Sequence, residues 1–570
     1  MSKNYLFNPQ AFTGDNLEEK TRKLIKSNID YWENKGLRAI KQGEMERSYD
    51  FKWVEYQKEQ QVLATLFTPS GYGAKDSRFD LRRLTEYNES LAFYNASARY
   101  MWQASLIGSA PVWLSNNEAM KHRVAKYLQE GFLFGFGCSE KTHGADLYAT
   151  ETMVSPLGDG KYIMNGEKYY IGNSNVGFMS NLCKFKDSKE FGFVLSDSRS
   201  RHYNDKKQIH CSYMPNSYVG EYYLVDYPIT DEDIISRGEK AWQDAFSTVN
   251  LGKFQIGVSS SGIATHAFYE CLRHSYNRWI YGARVTDMPH IRRFYVEAYL
   301  RTVGMRLYSF RTIDYFKNCS ETDRRYLLYN PVSKMKTPQE GRDIINLLWD
   351  AVAARGFEVE TYMESATRDV QAASKLEGTA HVNLSLILKF IKSYLLNPTE
   401  YPELGILKNN DDSGIYQQQT HGSLSSIRFD DYKKALNSRR LPNIEVFAKQ
   451  ALVLEKLFGA CPPSKEATNN KDYMLNLGFL FTMVPYAQLI VEASNLYDVA
   501  DEVVNQMFAY YVTDMAKYAI TQLYSQQNTP QIEECLREIL SYQPIHDDKE
   551  YDKLWTETIA PLESVYIQNQ

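Results

Sequence analysis

The sequence lacks the charge pattern of a protein that binds polyanions. Its 65 Lys and Arg are outnumbered by 70 Asp and Glu, which gives a formal net charge of −5, and no basic block interrupts this balance. Its 43 Tyr and 27 Phe do not alternate with Lys or Arg, as the residues of a nucleic-acid platform would. Neither a nucleic acid nor an anionic lipid surface is therefore expected as the main partner.

The chain also has few cysteines, and they form no motif. There are 7, an odd number, and none belongs to a C-x-x-C pair. This scatter argues against a disulfide framework and against a structural zinc site, and no metal ligand set is predicted. A reducing cytoplasm is the expected location.

Targeting and membrane-spanning signals are equally scarce. The first residues, MSKNYLFNPQAFTGDNLEEK, lack the apolar core of a signal peptide and contain acidic residues, so export is not expected. The most apolar stretch, residues 474–493, includes Asn476, Pro485, Gln488 and Glu492. A pair of buried helices is predicted there rather than a transmembrane segment.

What the chain does contain is a globular composition in four segments. With 570 residues, 43% hydrophobic and 24% charged, it has ample material for several cores. Helical patterns fill residues 1–134. The next segment, 135–248, consists of short β-rich pieces, the last of which ends near Trp242, and long helices return at 249–396. Residues 397–570 begin with a polar, turn-rich boundary to about 444 and continue as helices.

One of the long helices carries a face of small residues. They recur at helical spacing and predict a close approach to a second helix: Gly257, Ser260, Ala264, Ala267 and Cys271.

A lone carboxylate, Glu377, precedes Gly378 and a helical pattern carried by Leu384, Ile387 and Leu388. The pattern places Glu377 at the start of a helix. There a carboxylate either stabilises the amide-rich helix end, typically by ~0.3–1 kcal/mol, or acts as a base.

Two glycine-containing segments are candidates for ligand contact. They read GFGCSEKTHGADLYATET, residues 135–152, and NGEKYYIGNSN, residues 165–175. Glycine permits close approach of a ligand to the backbone, Ser139 offers a hydroxyl, and Tyr169 and Tyr170 offer aromatic faces. The alternative is a strand, turn and hairpin without a ligand.

Five segments in the same order resemble motifs of the flavin-dependent acyl-CoA dehydrogenase family. The first segment resembles the flavin motif T-E-x-G-x-G-S-D, and GEKYYIGN resembles G-x-K-x-W-I-T-N. YPITDEDII and NRWIYG are similar to V-P-x-x-x-x-L and R-x-x-F-G, and GFEVETYMESATRDVQAASKLEGT matches the G-F, R-D and E-G-T series without a gap. The resemblance covers residues 60 to 396.

The resemblance implies an α+β fold with an N-terminal helical domain, a middle β-barrel-like domain and a C-terminal four-helix bundle. Residues 397–570 then form the additional helical domain of larger members. It also implies an oxidoreductase of fatty acid metabolism acting on a CH–CH group, with FAD as cofactor. Glu377 would remove the α-proton of an acyl-CoA, or of another acyl thioester, while FAD accepts the β-hydride.

The resemblance further assigns roles to individual residues. The residues implied in cofactor binding are Phe136, Cys138, Ser139, Gly144, Ala145, Tyr170, Ile171, Gly172, Arg278, Ala353, Ala354, Thr379 and His381. Asn250, Lys253 and Gly378 would contact the substrate. Arg368 and Asp369 are interpreted as a structural pair that shapes the loop before the base.

The chain departs from the family pattern at several of these positions. The family's Ser, Trp and Thr are replaced by Ala145, Tyr170 and Gly172. A Gln and paired glycines are replaced by Asp350, Ala353 and Ala354, a second Gln by Pro289, and an Arg by Lys253.

Partners and alternatives follow from the same resemblance. Arg278 would reach the cofactor of a neighbouring subunit, which requires at least a homodimer, and an electron-transfer flavoprotein would accept electrons. The alternative to Arg278 as a cofactor ligand is a surface ion pair. Alternative functions are an acyl-CoA oxidase, a flavin monooxygenase, or a catalytically degenerate binding or assembly protein on the same fold.

Overall fold

A computed structural model describes residues 3–15, 17–408, 411–417 and 423–569. The predicted class is confirmed: the chain is α+β. A helical N-terminal region is followed by a central sheet and then by helices as far as the C-terminal region. It divides into two compact units. The sheet unit comprises Thr13–Gln255, Lys408–Thr420 and Gln568–Gln570, and the helical unit comprises Met1–Phe12, Ile256–Leu407 and His421–Ile567.

The sheet unit begins with six helices. They are α1 (Glu19–Glu46), α2 (Phe51–Glu59), α3 (Val62–Phe67), α4 (Leu81–Tyr94), α5 (Ala96–Leu114) and α6 (Glu118–Gln129). Asn95 separates α4 from α5 because its backbone is extended, and its side chain accepts a hydrogen bond from the Ala98 amide. This cap determines where α5 starts.

Eight strands of the described residues form one sheet. They are β1 (Phe134–Gly137), β2 (Met153–Gly158), β3 (Lys161–Gly172), β4 (Phe178–Phe185), β5 (Phe191–Asp197), β6 (Tyr203–Gln208), β7 (Val219–Thr230) and β8 (Ile234–Arg237). The strand order is β6-β7-β3-β2-β4-β5-β8, and β1 pairs in parallel with β4. Alternate residues supply a core that includes Val154, Met164, Ile171, Met179, Tyr222 and Leu224.

Helix α5 packs closely on this sheet. A Cβ atom on Gly108 of α5 would lie 2.6 Å from the backbone nitrogen of Gly135 in β1, so only glycine permits this distance. The Ser180 hydroxyl of β4 also donates a hydrogen bond to the Gly108 carbonyl, at 2.6 Å. As a result, the backbone of α5 lies directly against β1 and β4.

Further helices and a short hairpin follow the sheet. They are α7 (Glu239–Asn277), the hairpin strands β9 (Trp279–Ile280) and β10 (Ala283–Arg284), α8 (Pro289–Lys317), α9 (Tyr326–Val352), α10 (Tyr362–Ala373), α11 (Ala380–Ile387), α12 (Ile391–Leu395), α13 (Tyr432–Asn437), α14 (Pro442–Ala460), α15 (Lys465–Asn469), α16 (Lys471–Leu496), α17 (Asp501–Leu523), α18 (Pro530–Ser541) and α19 (Asp548–Lys553). Helix α7 starts ten residues before the position expected from the sequence, so Trp242 is helical. Gly238, with φ of 70°, ends β8 and permits this early start.

The predicted face of small residues on α7 brings helices together. A Cβ atom on Gly257 would lie 2.4 Å from Oγ of Ser333 and 2.7 Å from Oγ1 of Thr337, both on α9. Ser260 lies opposite Gly341 of α9. A Cβ atom added to Gly341 would lie 3.4 Å from Cβ of Ser260. The prediction of a close helix pair is confirmed.

The C-terminal helices are joined to α8 and α9 by a buried cluster of charges. Arg301 of α8 donates to Asp514 of α17 at 2.8 and 3.0 Å and to Glu340 of α9 at 2.8 Å. Burial raises the pKa of Asp514, but the charges of Arg301 and Lys336 outweigh burial and hold it well below its usual range. Loss of one member of such a cluster costs ~3–5 kcal/mol, because its partners stay buried.

The apolar stretch at residues 474–493 forms one helix, α16, rather than the predicted pair. It is the one helix in the described ranges that is long and apolar enough to cross a membrane, and 78% of its most apolar window is buried inside the protein. Its apolar side chains pack within the helical unit, where Phe481 contacts Tyr394 and Tyr486 contacts Tyr308. Pro485 lies inside the helix without ending it.

Candidate active site

The side chain of Glu140, in the first motif segment, is buried and surrounded by donors. The hydroxyl groups of Thr150 and Thr152 both donate to it at 2.6 Å, and the Glu151 amide donates at 2.7 Å. Lys168, in the second motif segment, lies 2.8 Å away and is fully buried. Glu140 and Lys168 therefore connect the two segments from inside the protein.

The electrostatics of this pair are those of a structural ion pair. Burial raises the pKa of Glu140, but the charge of Lys168 and the hydrogen bonds from Lys168, Thr150 and Thr152 outweigh it and lower the pKa to about 2. A backbone hydrogen bond also joins the two motif segments, since the Tyr169 amide donates to the Ser139 carbonyl at 3.0 Å. Neither Glu140 nor Lys168 was predicted from the sequence as a determinant of the site.

The cofactor-binding residues predicted in the first segment differ in accessibility. Phe136 and Ser139 are half-buried, and Gly144 and Ala145 are exposed. Cys138 is buried, and burial raises the pKa of its thiol. The Cys138 side chain therefore offers little surface to a ligand.

Tyr170 interrupts the pairing of β3 with β7. Tyr169 pairs with Glu221 and Ile171 with Gly220, so Tyr170 is the extra residue of a β-bulge, with φ of 67°. Its hydroxyl lies 2.5 Å from that of Tyr213 and 3.3 Å from Sγ of Cys211. Burial and the contact with Cys211 raise the pKa of Tyr170 to about 12.

The next two predicted residues are buried at the end of β3. The Ile171 side chain belongs to the core of the sheet. Gly172 lies against α5, where an added Cβ would be 2.9 Å from the hydroxyl oxygen of Tyr100. No sequence pattern indicated Tyr100, because it is 72 positions away in a helix that carries no motif.

Glu377 lies in the helical unit, between α10 and α11. It has φ of 55°, and Gly378 after it has φ of 91°, so both are in left-handed backbone. This conformation costs a non-glycine residue ~1–3 kcal/mol and is typical of functional sites. Thr379 caps α11 by accepting a hydrogen bond from the Val382 amide. The prediction that Glu377 stands at a helix start is confirmed.

Asn383 supports this turn and was missed in the sequence. Its side-chain amide donates to the carbonyl oxygens of Gly378 at 3.3 Å and Thr379 at 3.0 Å, and the residue is almost fully buried. Arg368 and Asp369 form the expected pair at 3.2 Å, within α10, the helix that precedes the turn at Glu377. The hydrogen bonds that hold the turn itself come from Asn383.

The remaining predicted ligands lie on the surface of the helical unit. Thr379, His381 and Ala354 are exposed, and Ala353 is exposed with φ of 54° and ψ of −134°. Arg278 is exposed next to β9, and its guanidinium forms no ion pair with any residue of the described ranges. The alternative of a surface ion pair therefore finds no support within those ranges.

The predicted substrate residues Asn250 and Lys253 belong to the part of α7 in the sheet unit. Asn250 is half-buried and Lys253 is 8% exposed. The side-chain amide of Gln103 donates to the Gly252 carbonyl at 3.2 Å, which attaches this part of α7 to α5.

One group of side chains has the composition of a metal site. Donor atoms of Glu140, His143 and Glu151 lie within 4.8 Å of one another. The Glu140 carboxylate is already bonded to Lys168, Thr150 and Thr152, and its charge is neutralised by Lys168. Ion binding would compete with these bonds, so the group is better explained as part of the ion-pair network.

Comparison with known proteins confirms the resemblance to acyl-CoA dehydrogenases. Residues 240–392 match the sequence model of the family "Acyl-CoA dehydrogenase, C-terminal domain". The short-chain-specific acyl-CoA dehydrogenase of Megasphaera elsdenii is 21% identical over 377 residues, which cover 65% of this chain and 97% of that protein.

Solved structures show the same fold. An acyl-CoA dehydrogenase of Bacillus anthracis, complexed with FAD, superposes with a TM-score of 0.75 at 16% identity and covers 100% of this chain and 98% of its own. The prolyl acyl carrier protein oxidase AnaB superposes with a TM-score of 0.59 at 15% identity, covering 66% of this chain and 99% of its own. The first match includes the additional C-terminal helices.

Proposed function

We propose that this chain is an FAD-dependent oxidoreductase that removes two hydrogens from the α and β carbons of an acyl-CoA, with Glu377 as the base. The matched family segment contains Glu377, and the relatives and structural neighbours named acyl-CoA dehydrogenases support the reaction class. The observation that carries the proposal is the position of Glu377 at the start of α11, inside the segment that matches the family model.

The residues of the sheet unit suit a flat cofactor. The bulge at Tyr170 takes one residue out of the β-ladder, and the bond between Tyr169 and Ser139 keeps the two motif segments adjacent. Ser139 is half-buried and Gly144 has open space where a Cβ would be. Backbone groups and a hydroxyl are thus available to a ring and its phosphates.

The residues that replace family glycines also fit. Ala353 has a backbone conformation that glycine favours, so the chain keeps the turn although it has a methyl group there. We propose that Ala353, Ala354, Thr379 and His381 bind the nucleotide part of FAD, and that Arg278 binds the pyrophosphate of a neighbouring subunit in at least a dimer. The exposure of all five is consistent with these roles.

In this mechanism the Glu377 carboxylate accepts the proton from the α carbon. Bound FAD supplies the acceptor for the hydride that leaves the β carbon. Asn383 keeps the turn in place through the carbonyl groups of Gly378 and Thr379. Amides at the start of α11 favour negative charge on a thioester oxygen, which makes the α-proton more acidic.

The test combines cofactor content with turnover. The purified protein should contain close to one FAD per chain and should reduce an artificial electron acceptor with short acyl-CoA substrates. Glu377→Gln should keep its FAD and lose turnover by ~10²–10⁴-fold. Glu400→Gln, a change of an exposed glutamate after α12, is the matched control and should leave both unchanged.

Other outcomes identify the alternatives. Full turnover by Glu377→Gln would reject the proposed base. Rapid peroxide production in air would indicate an oxidase, and activity with a carrier-protein thioester alone would replace CoA as the substrate carrier. A protein that does not take up added FAD would support a binding or assembly role. Otherwise we expect an electron-transfer flavoprotein to be the physiological acceptor.

A further inference from the structure

The end of β3 lies close to the first turns of α5. Tyr100 of α5 occupies the space that a side chain at position 172 would take. A Cβ atom built on Gly172 would lie 2.9 Å from the hydroxyl oxygen of Tyr100 and 3.0 Å from its Cε1. It would also lie 3.0 Å from Cβ of Ala104. Tyr100 therefore fills the volume next to Gly172, and no larger residue fits there unless Tyr100 moves.

The helical turn that follows Tyr100 is attached to the end of β3. Asn173, the residue after Gly172, donates hydrogen bonds to the Met101 carbonyl at 2.9 Å and to Oγ of Ser105 at 3.2 Å. It also donates to the Phe134 carbonyl of β1 at 2.9 Å. Because Asn173 is fully buried, these bonds attach the end of β3 to α5 and to β1 together.

Tyr100 is half-buried, so part of its side chain is accessible to a ligand. It adjoins the segment Tyr170–Gly172, which contains the bulge. A phenol has an aromatic face and a hydroxyl donor, and the edge of a flavin ring carries nitrogen and oxygen acceptors.

From this contact we infer that Tyr100 is a cofactor-binding residue, whose hydroxyl makes the polar contact with the flavin ring that Gly172 has no side chain to make. The inference rests on the proposed function. It explains why a glycine at position 172 is compatible with flavin binding in this chain.

The first experiment removes only the hydroxyl. Tyr100→Phe should bind FAD about five- to tenfold more weakly, the effect of one neutral hydrogen bond, and should shift the visible absorption maximum of the bound flavin. Tyr87→Phe, a change of a buried residue of α4 whose hydroxyl lies 3.4 Å from Asn28, is the control and should leave the spectrum unchanged. An unaltered dissociation constant and spectrum in Tyr100→Phe would overturn the inference.

The second experiment exchanges the two side chains. Gly172→Thr alone should lower the FAD content, because the added side chain clashes with Tyr100. Gly172→Thr combined with Tyr100→Ala should recover most of it, since the threonine then has both the space and the hydroxyl. No recovery by the double variant would contradict the exchange.

The two proposals fail differently. A wild-type protein that does not bind FAD overturns both the proposed function and this inference. A wild-type protein that binds FAD and turns over acyl-CoA, with a Tyr100→Phe variant indistinguishable from it, overturns the inference alone.

Discussion

Nζ of Lys168 lies 2.8 Å from Oε1 of Glu140, and both side chains are buried. The two residues are 28 positions apart, one just after β1 and the other within β3. Because buried charges are costly unless paired, each residue requires the other. The pair therefore keeps the two segments that we assign to the flavin at a constant separation.

Replacement of this lysine should destabilise the sheet unit. Lys168→Met leaves the Glu140 carboxylate buried without its countercharge, and we expect the free energy of unfolding to fall by ~3–5 kcal/mol in urea titrations at pH 7. The exposed pair of Lys126 and Glu130, 3.9 Å apart, supplies the control. Lys126→Met should change stability by less than ~0.5 kcal/mol, and equal effects of the two variants would refute the argument.

The same pair predicts a dependence on pH. The pKa of Glu140 is lowered from 4.5 to about 2 in the folded protein, so its contribution is complete above pH 4.5 and is lost as the pH falls toward 2. Unfolding free energies measured between pH 7 and pH 3 should decline less steeply at the acid end in Lys168→Met than in the wild type. Parallel curves would show that Glu140 does not depend on Lys168.

Glycine at position 353 should stabilise the helical unit. Ala353 has φ of 54° and ψ of −134°, where its Cβ is strained and glycine is not. Ala353→Gly is therefore expected to raise the free energy of unfolding by ~0.4–1 kcal/mol without weakening FAD binding. Ala351→Gly, two residues earlier inside α9, should lower it by ~1 kcal/mol or more. A change of the same sign in both would argue against strain at Ala353.

Stability and activity should move in opposite directions at Glu377. Glu377→Gly relieves the left-handed strain, so the protein should gain ~0.5–1 kcal/mol in unfolding free energy while turnover falls to background. Glu377→Ala removes the carboxylate but keeps a Cβ, and it should lose turnover without that gain. A glycine variant that is less stable than the alanine variant would show that the backbone at position 377 is unstrained.

The additional C-terminal helices support the helix that follows Glu377. A Cβ atom on Gly478 of α16 would lie 3.0 Å from Cγ of Leu384 in α11 and 3.2 Å from Cδ2 of Leu388. Gly478→Val should push α11 away, lower stability by ~1–3 kcal/mol and reduce turnover tenfold or more. Gly459→Val, a change on α14 where an added Cβ would lie 3.2 Å from Cδ2 of Leu396, should leave turnover unchanged.

Features that depend on residues close together in the sequence could be predicted from the sequence. The small residues around Gly257 predicted a close helix pair, and the apolar spacing after Gly378 predicted the helix that begins at Ala380. The order of helices, strands and helices followed from periodicity and turn residues. The start of α7 was misplaced because a single glycine, Gly238, ends the strand.

By itself the sequence determined the α+β class, the succession of elements, the resemblance to acyl-CoA dehydrogenases and the place of Glu377 at the start of a helix. Only the tertiary structure decided that Glu140 pairs with Lys168, that Tyr100 fills the space beside Gly172 and that Asn383 holds the turn at Gly378. The physical reason is the range of the interactions. Secondary structure depends on residues a few positions apart, whereas burial, ion pairing and close packing depend on which elements the folded chain brings together.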